Sequence, residues 1–460
     1  MDIHQYKLVY FLGIGGIGMS ALARYFHRYG LMVSGVDKTP TNLTHQLIEE
    51  GILVHFDENP ELIPDHPDLV VYTPALPKDH KELQFVIKKG FLLKKRSEIL
   101  GMITQNAKTI AIAGTHGKTT ITTMVAHLLR TAGKNSIAFL GGISKNYNSN
   151  LIISDTSTPQ SFDSPAYYIV EADEFDRSFL QLYPDIAVIT SADADHLDIY
   201  GNIKEVRLSF GEFTSHMKKN GTLILKKGVD IVPERTDNYT IQTYNLEGDA
   251  DFYPEKIRFG NSRFVFDLVT PARTIRNITL GLPGKFNLEN AIAAAAVAYT
   301  VGITDEDIAR ALVTFEGVER RFDFQVIRDD FVYIDDYAHH PEELKACIRA
   351  VREIYPSKKI TGVFQPHLFT RTRDFADAFA RSLELLDELI LLEIYPAREN
   401  PIPGIDSAML LGKVQLLNKK ICSKADLPGE LKSRKPEVLL TLGAGDIDQL
   451  VKPIRELFTN

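Results

Sequence analysis

A glycine-rich run at residues 114–120, Gly-Thr-His-Gly-Lys-Thr-Thr, is the feature that most constrains what this chain can fold into. It follows the apolar segment from Thr109 to Ala113 and opens a segment of helical periodicity that reaches about Arg130. A strand, a glycine-rich turn and a helix in this order bring backbone N–H groups and a helix N-terminus to one point, where a polyphosphate binds. The pattern predicts an α/β fold with a phosphate-binding loop.

The residue types within the run assign roles to its positions. Gly114 and Gly117 let backbone N–H groups crowd a polyphosphate, Lys118 supplies a positive charge, and the Thr119 hydroxyl is placed to bind Mg²⁺. The remaining loop residues expected to contact the nucleotide are Thr115, His116 and Thr120. The usual pattern places four residues between the first glycine and the Gly-Lys pair, whereas Gly114 is separated from Gly117 by a shorter stretch. A glycine-rich turn without a ligand would explain the glycines but not the Lys-Thr-Thr continuation, so the chain is predicted to use ATP or GTP.

Length and charge limit the class of protein. A chain of 460 residues is too long for one core and predicts about three domains of roughly 150 residues each. The net charge of −8 argues against a nucleic-acid partner, since clustered Lys and Arg meet phosphate backbones. The only local basic run, from Lys88 to Arg96, is interpreted as a solvated surface.

Other features indicate a cytoplasmic location. Cys347 and Cys422 lie in apolar surroundings without metal-like spacing, and we expect buried thiols in a reducing compartment. A strand begins at Lys7, which leaves no room for a signal peptide, and no apolar run reaches the roughly 18 residues that span a bilayer. We expect no membrane partner, and a monomer or weak homodimer, although the sequence does not settle the oligomeric state.

Apolar runs alternate with helical-period segments from end to end, which predicts parallel sheets covered by helices. Three blocks separate, with expected bounds of 1–106, 107–320 and 321–460. The second block includes a more β-rich stretch at about 221–280. In the third block, a single helix is predicted from Thr372 to Leu386.

The first block opens on a second glycine-rich turn. Gly13, Gly15 and Gly18 follow a strand, and Asp37 lies nineteen residues beyond the last glycine, which matches a dinucleotide-binding fingerprint. The turn offers a diphosphate seat at a helix N-terminus, and this suits NAD and a nucleotide sugar equally well. A tight turn that only packs helix on strand is the alternative.

Carboxylates gather at two strand ends of the second block. Glu171-Ala172-Asp173-Glu174 ends one apolar strand, and Asp195-His196-Leu197-Asp198 follows another. Clustered carboxylates repel one another unless a cation neutralises them, so carboxylate and imidazole are expected to converge on a metal beside the phosphate loop. Solvated acidic loops are the alternative.

The third block carries histidines and arginines at its strand ends. Asp335-Asp336-Tyr337 leads to His339-His340, and Gln365-Pro366-His367 leads to Arg371 and Arg373. Guanidinium binds carboxylate or phosphate through two parallel hydrogen bonds, so these residues predict an anion clamp. Helix caps or a surface cluster would also account for them.

With these motifs, the whole chain resembles the Mur ligase family, and in particular its alanine-adding branch. The resemblance rests on ordered motifs at 13–20, 114–120, 171–176, 195–200, 287 with 290, 320–322, 335–342, 365–372, 393–396 and 443–446. It implies an α/β chain of three domains: a Rossmann-like N-terminal one for a UDP-sugar, a P-loop ATPase-like central one with an added β-rich part, and a Rossmann-like C-terminal one for the amino acid.

The resemblance also implies the reaction and its participants. The lactyl carboxylate of UDP-N-acetylmuramate takes the γ-phosphoryl group of ATP, with Mg²⁺, and the amine of L-alanine attacks the acyl phosphate, in peptidoglycan precursor synthesis. By matching position, Lys118 contacts the β- and γ-phosphates, while Thr119, Glu171 and His196 hold metal.

Further roles carry over by position. The nucleotide contacts implied by the resemblance are Asn287, Asn290, Arg321 and Asp336, and Arg321 also contacts the acyl phosphate. The amino-acid pocket is expected from Tyr337, His339, His367 and Arg371, with His339 an acceptor for the amine proton. The expected UDP-sugar residues are Gly13, Gly15, Gly16, Gly18, Met19, Ser20, Asp37, Thr73 and Ala75.

Three positions depart from relatives. Phe286 stands where many have His, which predicts a more apolar adenine pocket, and Leu368 stands where many alanine-adding relatives carry a second arginine. Phe210 replaces the carbamylated lysine of ligases that add later amino acids, in agreement with the alanine-adding branch.

Three other functions are compatible with part of this pattern. A ligase that attaches a recycled tripeptide to the same UDP-sugar shares almost every motif. An NAD-dependent oxidoreductase would leave the phosphate loop and Glu171 without a role, and a non-catalytic nucleotide-binding regulator would not need the metal-type residues.

Overall fold

The computed structural model describes residues 5–154, 166–193, 197–260, 263–397 and 399–459, with the side chains of residues 197 and 198 left aside. It divides into two compact units. The first comprises residues 1–282 and 286–316, and the second comprises residues 283–285 and 317–460. The three expected domain ranges therefore remain a prediction.

The first unit opens with a parallel five-stranded sheet. Its strands are β1 (Leu8–Leu12), β2 (Met32–Val36), β3 (Leu53–His55), β4 (Leu69–Tyr72) and β5 (Leu93–Lys95). Its helices are α1 (Ile17–Arg28), α2 (Asn42–Glu49), α3 (Lys81–Lys89) and α4 (Arg96–Thr104). The order β3-β2-β1-β4-β5 places β1 between β2 and β4. The turns that follow β1 and β4 are therefore neighbours at the carboxyl edge of the sheet.

A second sheet of seven strands continues this unit. Its strands are β6 (Lys108–Ala113), β7 (Ser136–Ser144), β8 (Ser149–Ile153), β9 (Tyr167–Ala172), β10 (Ile186–Ile189), β11 (Gly221–Lys226) and β12 (Tyr239–Tyr244). The order is β12-β11-β10-β6-β9-β7-β8, with every pair parallel except β7 and β8. Strand β6 lies between β9 and β10, so the phosphate loop is flanked by the ends of both. Helices α5 (Lys118–Thr131), α6 (Leu197–Tyr200) and α7 (Ile203–Ser215) belong to this part.

The β-rich stretch supplies β11 and β12 and then an antiparallel sheet of three strands. These are β13 (Tyr253–Gly260), β14 (Arg263–Val269) and β15 (Thr274–Leu280). Helices α8 (Lys285–Thr300) and α9 (Asp305–Thr314) follow. Residues 291–298 of α8 are completely buried, because alanine on every side lets other elements pack around the helix.

The second unit is built on a six-stranded sheet. Its strands are β16 (Asp323–Ile327), β17 (Val332–Asp336), β18 (Ile360–Phe364), β19 (Glu388–Leu391), β20 (Lys419–Ile421) and β21 (Val438–Leu442). The order is β16-β17-β21-β18-β19-β20, and only β16 runs antiparallel to its neighbour. Its helices are α10 (Pro341–Ile354), α11 (Phe369–Asp374), α12 (Ala376–Leu383), α13 (Ser407–Lys413), α14 (Leu427–Arg434) and α15 (Val451–Thr459).

The parallel sheets with helical connections confirm the predicted α/β class. One local prediction was wrong. The single helix expected from Thr372 to Leu386 is two helices, α11 and α12, because Phe375 leaves helical geometry at φ −113° and ψ 16°. Glu171 lies near the carboxyl end of β9, as expected.

The cysteines and the helices can be compared with the expectations from the sequence. Cys347 and Cys422 are buried free thiols, as predicted. Among the described residues, none of the helices combines the length and the apolar character needed to cross a membrane.

Candidate active site

The glycines of the phosphate loop are required by close contacts. Gly114 has φ +129°, and a Cβ atom there would lie 2.0 Å from Thr190 Oγ1. Gly117 has φ +82°, and a Cβ atom would lie 2.8 Å from Asn290 Oδ1. Both positions combine a left-handed φ with a crowded backbone, so only glycine fits without displacement.

The end of β10 supports the loop from one side. Thr115 Oγ1 lies 2.7 Å from Ser191 Oγ, and the His116 backbone N–H donates to Ser191 Oγ at 3.1 Å. Thr190 Oγ1 donates to the His116 carbonyl at 2.6 Å. The His116 ring reaches Asp193 Oδ2 at 3.5 Å. Thr190 and Ser191 were not singled out from the sequence, because their role depends on β10 pairing with β6.

Lys118 and Glu174 form a nearly buried ion pair. Lys118 Nζ donates to both Glu174 carboxylate oxygens, at 2.9 and 2.7 Å, and to the Gly114 carbonyl at 2.8 Å. The Glu174 side chain is only 1% exposed. Burial alone would lower the pKa of Lys118, but the negative charge of Glu174 outweighs it and the pKa is raised. Burial raises the pKa of Glu174, although the charge of Lys118 acts to lower it, so the pair holds the lysine charged in a site that disfavours charge.

Oxygen ligands lie beside this pair at the start of α5. Thr119 Oγ1 donates to Glu171 Oε2 at 3.1 Å, and Glu171 Oε1 accepts the Gly141 backbone N–H at 2.6 Å. Within the described ranges, no group of three or more His, Cys, Asp or Glu side chains is arranged to hold a metal ion. His196, predicted to bind a metal, lies outside the described residues.

The acidic segment after β9 is neutralised by three cations. Lys118 pairs with Glu174, Lys95 Nζ lies 3.3 Å from Asp176 Oδ2, and Arg96 Nη2 lies 3.8 Å from Asp173 Oδ2. Part of the neutralisation that the sequence predicted from a metal thus comes from side chains.

Helix α8 brings Asn290, one of the two predicted adenine contacts, to the loop. Asn290 is half-buried and faces Gly117, and Asn287 lies one turn earlier and is buried. The preceding Phe286 is 37% exposed. Thr120, the last predicted loop contact, is half-buried in the first turn of α5.

The first glycine-rich turn also gathers predicted residues. A Cβ atom on Gly13, at φ +84°, would lie 2.8 Å from Thr73 Cγ2, so the turns after β1 and β4 touch. The Gly15 N–H donates to Asp37 Oδ2 at 2.8 Å. Gly16 is the N-cap of α1 and makes no side-chain hydrogen bond. Ala75, two residues after Thr73, is exposed. The structure therefore brings Gly13, Gly15, Asp37 and Thr73 together.

Two predicted sugar contacts of α1 face the interior instead. Met19 and Ser20 are buried, and Ser20 Oγ accepts from Asn150 Nδ2 at 2.8 Å. Asn150 also accepts from Arg24, whose guanidinium pairs with Glu50 at 2.6 Å. This network fixes α1 against β8. The sequence does not predict it, because Asn150 lies more than 120 residues from its partners on α1.

In the second unit, Asp336 ends β17 and organises the chain around it. Its carboxylate accepts the backbone N–H of Phe322 at 2.7 Å and of Ala338 at 2.8 Å. Burial raises the pKa of Asp336 to about 6, although the Arg321 charge and both hydrogen bonds act to lower it. Arg321 and Asp336 thus form a charged corner of this unit.

The rings of Tyr337, His339, His367 and Tyr395 form a row beside the ends of β17 and β18. The guanidinium groups of Arg320 and Arg321 lie 5.2 and 5.1 Å from the centre of the Tyr337 ring. The ring centroids of Tyr337 and His339 are 5.2 Å apart, and those of His339 and His367 are 5.9 Å apart. His367 stacks on Tyr395 at 5.7 Å, a residue of the 393–396 motif to which the sequence assigned no role.

The protonation state of His339 and the positive charge of Arg371 are the chemical properties that matter in this row. Burial lowers the pKa of His339, Glu343 opposes that effect from 3.2 Å, and the Arg371 charge adds to it, so His339 favours the neutral form. Arg371 Nη1 is buried and has no hydrogen-bond partner among the described residues. A buried guanidinium nitrogen left without an acceptor is suited to a ligand carboxylate.

Comparison with known families covers the chain in three parts. Residues 8–108 match the Mur ligase family catalytic domain, residues 112–298 the Mur ligase middle domain, and residues 320–445 the Mur ligase glutamate ligase domain. This confirms the expected three-part α/β fold class.

Relatives match from end to end. The UDP-N-acetylmuramate–L-alanine ligases of Parabacteroides distasonis and Phocaeicola vulgatus are each 50% identical over 99% of this chain and 98% of their own length. The crystal structure of UDP-N-acetylmuramate-alanine ligase from Thermotoga maritima has a TM-score of 0.80 at 27% identity, and covers 98% of this chain and 99% of that one. A murein peptide ligase structure from Psychrobacter arcticus shares the fold, with a TM-score of 0.73 at 20% identity over 99% of both chains. With all three domains matched and full-length relatives at 50% identity, the chain belongs to the Mur ligase family.

Proposed function

We propose that the chain joins L-alanine to the lactyl carboxylate of UDP-N-acetylmuramate at the expense of ATP, in peptidoglycan precursor synthesis. The observation that carries the proposal is the end-to-end identity with relatives that bear this one activity in their names. The geometry agrees with it, because a phosphate loop, a diphosphate-type turn and an anion clamp all occur in one chain.

In the first unit, the loop from Gly114 to Thr120 holds the nucleotide. Lys118 is placed to turn from Glu174 toward the β- and γ-phosphates, and Asn287 and Asn290 to contact the adenine from α8. The turn at Gly13, Gly15 and Gly18, with Asp37 and Thr73, holds the UDP-sugar. Part of the substrate's negative charge is thus met by backbone N–H groups and lysine.

Thr119 and Glu171 fit Mg²⁺. Both present oxygen atoms, which this ion prefers, and these lie 3.1 Å apart at the phosphate loop. Mg²⁺ bound there supplies positive charge that neutralises the phosphates. His196 is proposed as a further ligand.

In the second unit, Arg371 is proposed to bind the carboxylate of L-alanine. Neutral His339 then lies close enough to Arg371 to accept the amine proton, since the charge of Arg371 acts on its pKa. Tyr337 and His367 line the same row. Arg321 and Asp336 are proposed to contact the acyl phosphate and the nucleotide respectively.

The reaction balances in two steps. A lactyl carboxylate oxygen attacks the γ-phosphorus, the bond to the β-phosphate oxygen breaks, and ADP leaves with an acyl phosphate formed. The alanine nitrogen then attacks the acyl carbon, phosphate leaves, and the amine proton passes to a base, for which we propose His339. Since carboxylate and amine do not condense readily in water, the residues mainly position the reactants and neutralise charge.

Three further properties are proposed. The proposed domain ranges are 1–106, 107–320 and 321–460, and family matches at residues 8–108, 112–298 and 320–445 support them. We expect a cytoplasmic protein, because its substrates are cytoplasmic nucleotides, and we expect a monomer or weak homodimer.

The test is phosphate release from ATP and Mg²⁺ with UDP-N-acetylmuramate, comparing L-alanine, glycine, L-serine and the tripeptide L-Ala-γ-D-Glu-meso-diaminopimelate. We expect the fastest release with L-alanine, and a UDP-muramoyl-alanine product by mass spectrometry. Release with the tripeptide alone would instead assign the chain to peptide recycling. Nicotinamide reduction without phosphate release would overturn the ligase proposal.

A further inference from the structure

We propose that Arg96 binds the diphosphate of the nucleotide sugar at the turn from Gly13 to Gly18. The inference rests on the proposed function, which places the UDP-sugar at this turn, and adds a binding residue to it. Arg96 lies in the basic run from Lys88 to Arg96, for which the sequence predicts a solvated surface.

Arg96 lies directly on the glycine turn. It is the first residue of α4, whose start is fixed by Glu98, which accepts the Lys95 backbone N–H at 2.7 Å. A Cβ atom on Gly18 would lie 2.6 Å from Arg96 Nη1 and 3.1 Å from its Cζ. The guanidinium therefore fills the space that the missing side chain of Gly18 leaves on the first turn of α1.

Within the described part of the chain, the Arg96 guanidinium donates no hydrogen bond. Among the described residues, its one ion pair is with Asp173 Oδ2, and the distance of 3.8 Å is too long for a hydrogen bond. The Arg96 side chain is 28% exposed, so solvent or a ligand reaches it. Arginine carries five N–H donors, and a planar fork of them remains available.

The surroundings favour an anion at this point. The first turn of α1 contains no acidic residue, and its N-cap Gly16 provides no side-chain acceptor. A guanidinium beside the positive end of a helix is unfavourable unless an anion lies between them. Gly15 N–H already donates to Asp37 at 2.8 Å, which directs the anion toward the Gly18 side of the turn.

A diphosphate meets these conditions. It offers oxygens to the N–H groups of α1 and to the guanidinium at once, and arginine binds phosphate oxygens through two parallel hydrogen bonds. Asp173, across from Arg96, then keeps the guanidinium oriented before the substrate arrives.

The first experiment measures binding of UDP and of uridine to the full chain without ATP or metal. Arg96→Ala is expected to weaken UDP binding by about 10- to 100-fold, the range for losing hydrogen bonds to a charged group. Uridine affinity should not change, because uridine lacks the phosphates, and Arg96→Lys should be intermediate. The salt dependence of UDP binding should also become shallower in Arg96→Ala. Equal UDP affinity in wild type and Arg96→Ala would overturn the proposal.

Lys95→Ala is the matched control. Lys95 is the neighbouring cation and pairs with Asp176 at 3.3 Å. We expect UDP binding close to wild type in this variant. A loss as large as that of Arg96→Ala would mean that general positive charge, and not Arg96, holds the diphosphate.

Gly18→Ala displaces Arg96 by a second route. The atom that the new Cβ meets is the end of a flexible side chain, and alanine favours a helix, so this variant is expected to fold. It should weaken UDP binding in the wild-type background and cause no further loss in Arg96→Ala. Additive losses would contradict an effect transmitted through Arg96.

Steady-state kinetics distinguish a failure of this inference from a failure of the proposed function. Arg96→Ala should raise KM for UDP-N-acetylmuramate and leave KM for ATP unchanged. If the wild-type chain turns over with L-alanine and Arg96→Ala has the same KM for the UDP-sugar, only the role of Arg96 is wrong. If the wild-type chain binds neither UDP nor UDP-N-acetylmuramate, the proposed function itself is wrong.

Discussion

Lys118 Nζ donates to both carboxylate oxygens of Glu174, at 2.9 and 2.7 Å, although the same lysine is the cation expected to contact phosphate. The pair keeps the lysine charged and oriented in a nearly closed site. Nucleotide binding must then exchange a carboxylate partner for phosphate oxygens, which carry the same sign of charge. In the protein without nucleotide, the attraction of Glu174 therefore already offsets the desolvation cost of burying Lys118.

Lys118→Ala is expected to abolish phosphate release and also to destabilise the protein. Removing the lysine leaves the buried Glu174 carboxylate without its cation, which costs about 3 kcal/mol of the free energy of unfolding. The double variant Lys118→Met with Glu174→Gln removes both charges and should be less destabilised, while remaining inactive. Urea unfolding measures the stabilities. The exposed Lys219 provides a control as Lys219→Ala, and normal turnover in Lys118→Ala would refute the loop assignment.

Thr119→Val and Glu171→Gln are expected to raise the Mg²⁺ concentration for half-maximal turnover by at least about tenfold, because valine removes the hydroxyl oxygen and glutamine removes the negative charge of the carboxylate. Titration of phosphate release with Mg²⁺ at saturating ATP measures this. Thr123→Val is the matched control, since the Thr123 hydroxyl donates to the Thr119 carbonyl at 2.7 Å within α5. An unchanged Mg²⁺ requirement in both site variants would argue against this ligand pair.

Turnover should fall as pH drops through about 6. Burial raises the pKa of Asp336 to that value, so protonation there removes the charge that accepts from Phe322 and Ala338. Burial also raises the pKa of Asp335 to about 6, so Asp336→Asn should remove one of two ionisations from the profile of kcat against pH. A wild-type kcat that stays constant from pH 7 to about pH 5 would contradict this reasoning.

The same carboxyl affects stability with the opposite sign. Its folded pKa of about 6 lies above the ordinary value of about 4, so the folded state binds more protons than the unfolded state between these values. The contribution of Asp336 to the free energy of unfolding therefore increases as pH falls from about 6 to about 4. Urea unfolding of wild type and Asp336→Asn across this window should show that difference.

Features fixed by adjacent residues were predictable from the sequence. The strand, turn and helix around Lys118 are consecutive, so spacing alone places Gly114, Gly117 and Thr119. The ends of β17 and β18 were found for the same reason, because apolar runs stop there and polar residues begin. Short strands such as β3, β5 and β20, of three residues each, carry too little pattern to detect.

Features made by distant pairs were not predictable. Glu174 was seen as part of an acidic cluster, but its pairing with Lys118 depends on β9 lying beside β6. Arg96 contacts Gly18 only because α4 follows strand β5 at the edge of the same sheet. The break at Phe375 and the positive φ of Leu368 result from tertiary packing that overrides local preference.

The backbone of Leu368 is strained, and replacing this residue tests that strain. Its backbone has φ +71° and ψ 135°, a conformation rare for residues with a side chain, while its N–H donates to the Tyr395 carbonyl at 3.0 Å. That contact sets His367 beside Tyr395. Leu368→Gly and Leu368→Ala both remove the half-buried side chain, but glycine adopts this backbone without strain.

We therefore expect Leu368→Gly to be more stable than Leu368→Ala by about 1 kcal/mol, measured by urea unfolding. At an ordinary loop position the order would be reversed, because glycine loses more conformational entropy on folding. KM for L-alanine should be lower in Leu368→Gly than in Leu368→Ala, since relief of strain keeps the ring of His367 stacked on Tyr395. If alanine proves the more stable replacement, Leu368 does not hold this conformation in solution, and the geometry of the His339–His367 row must be revised.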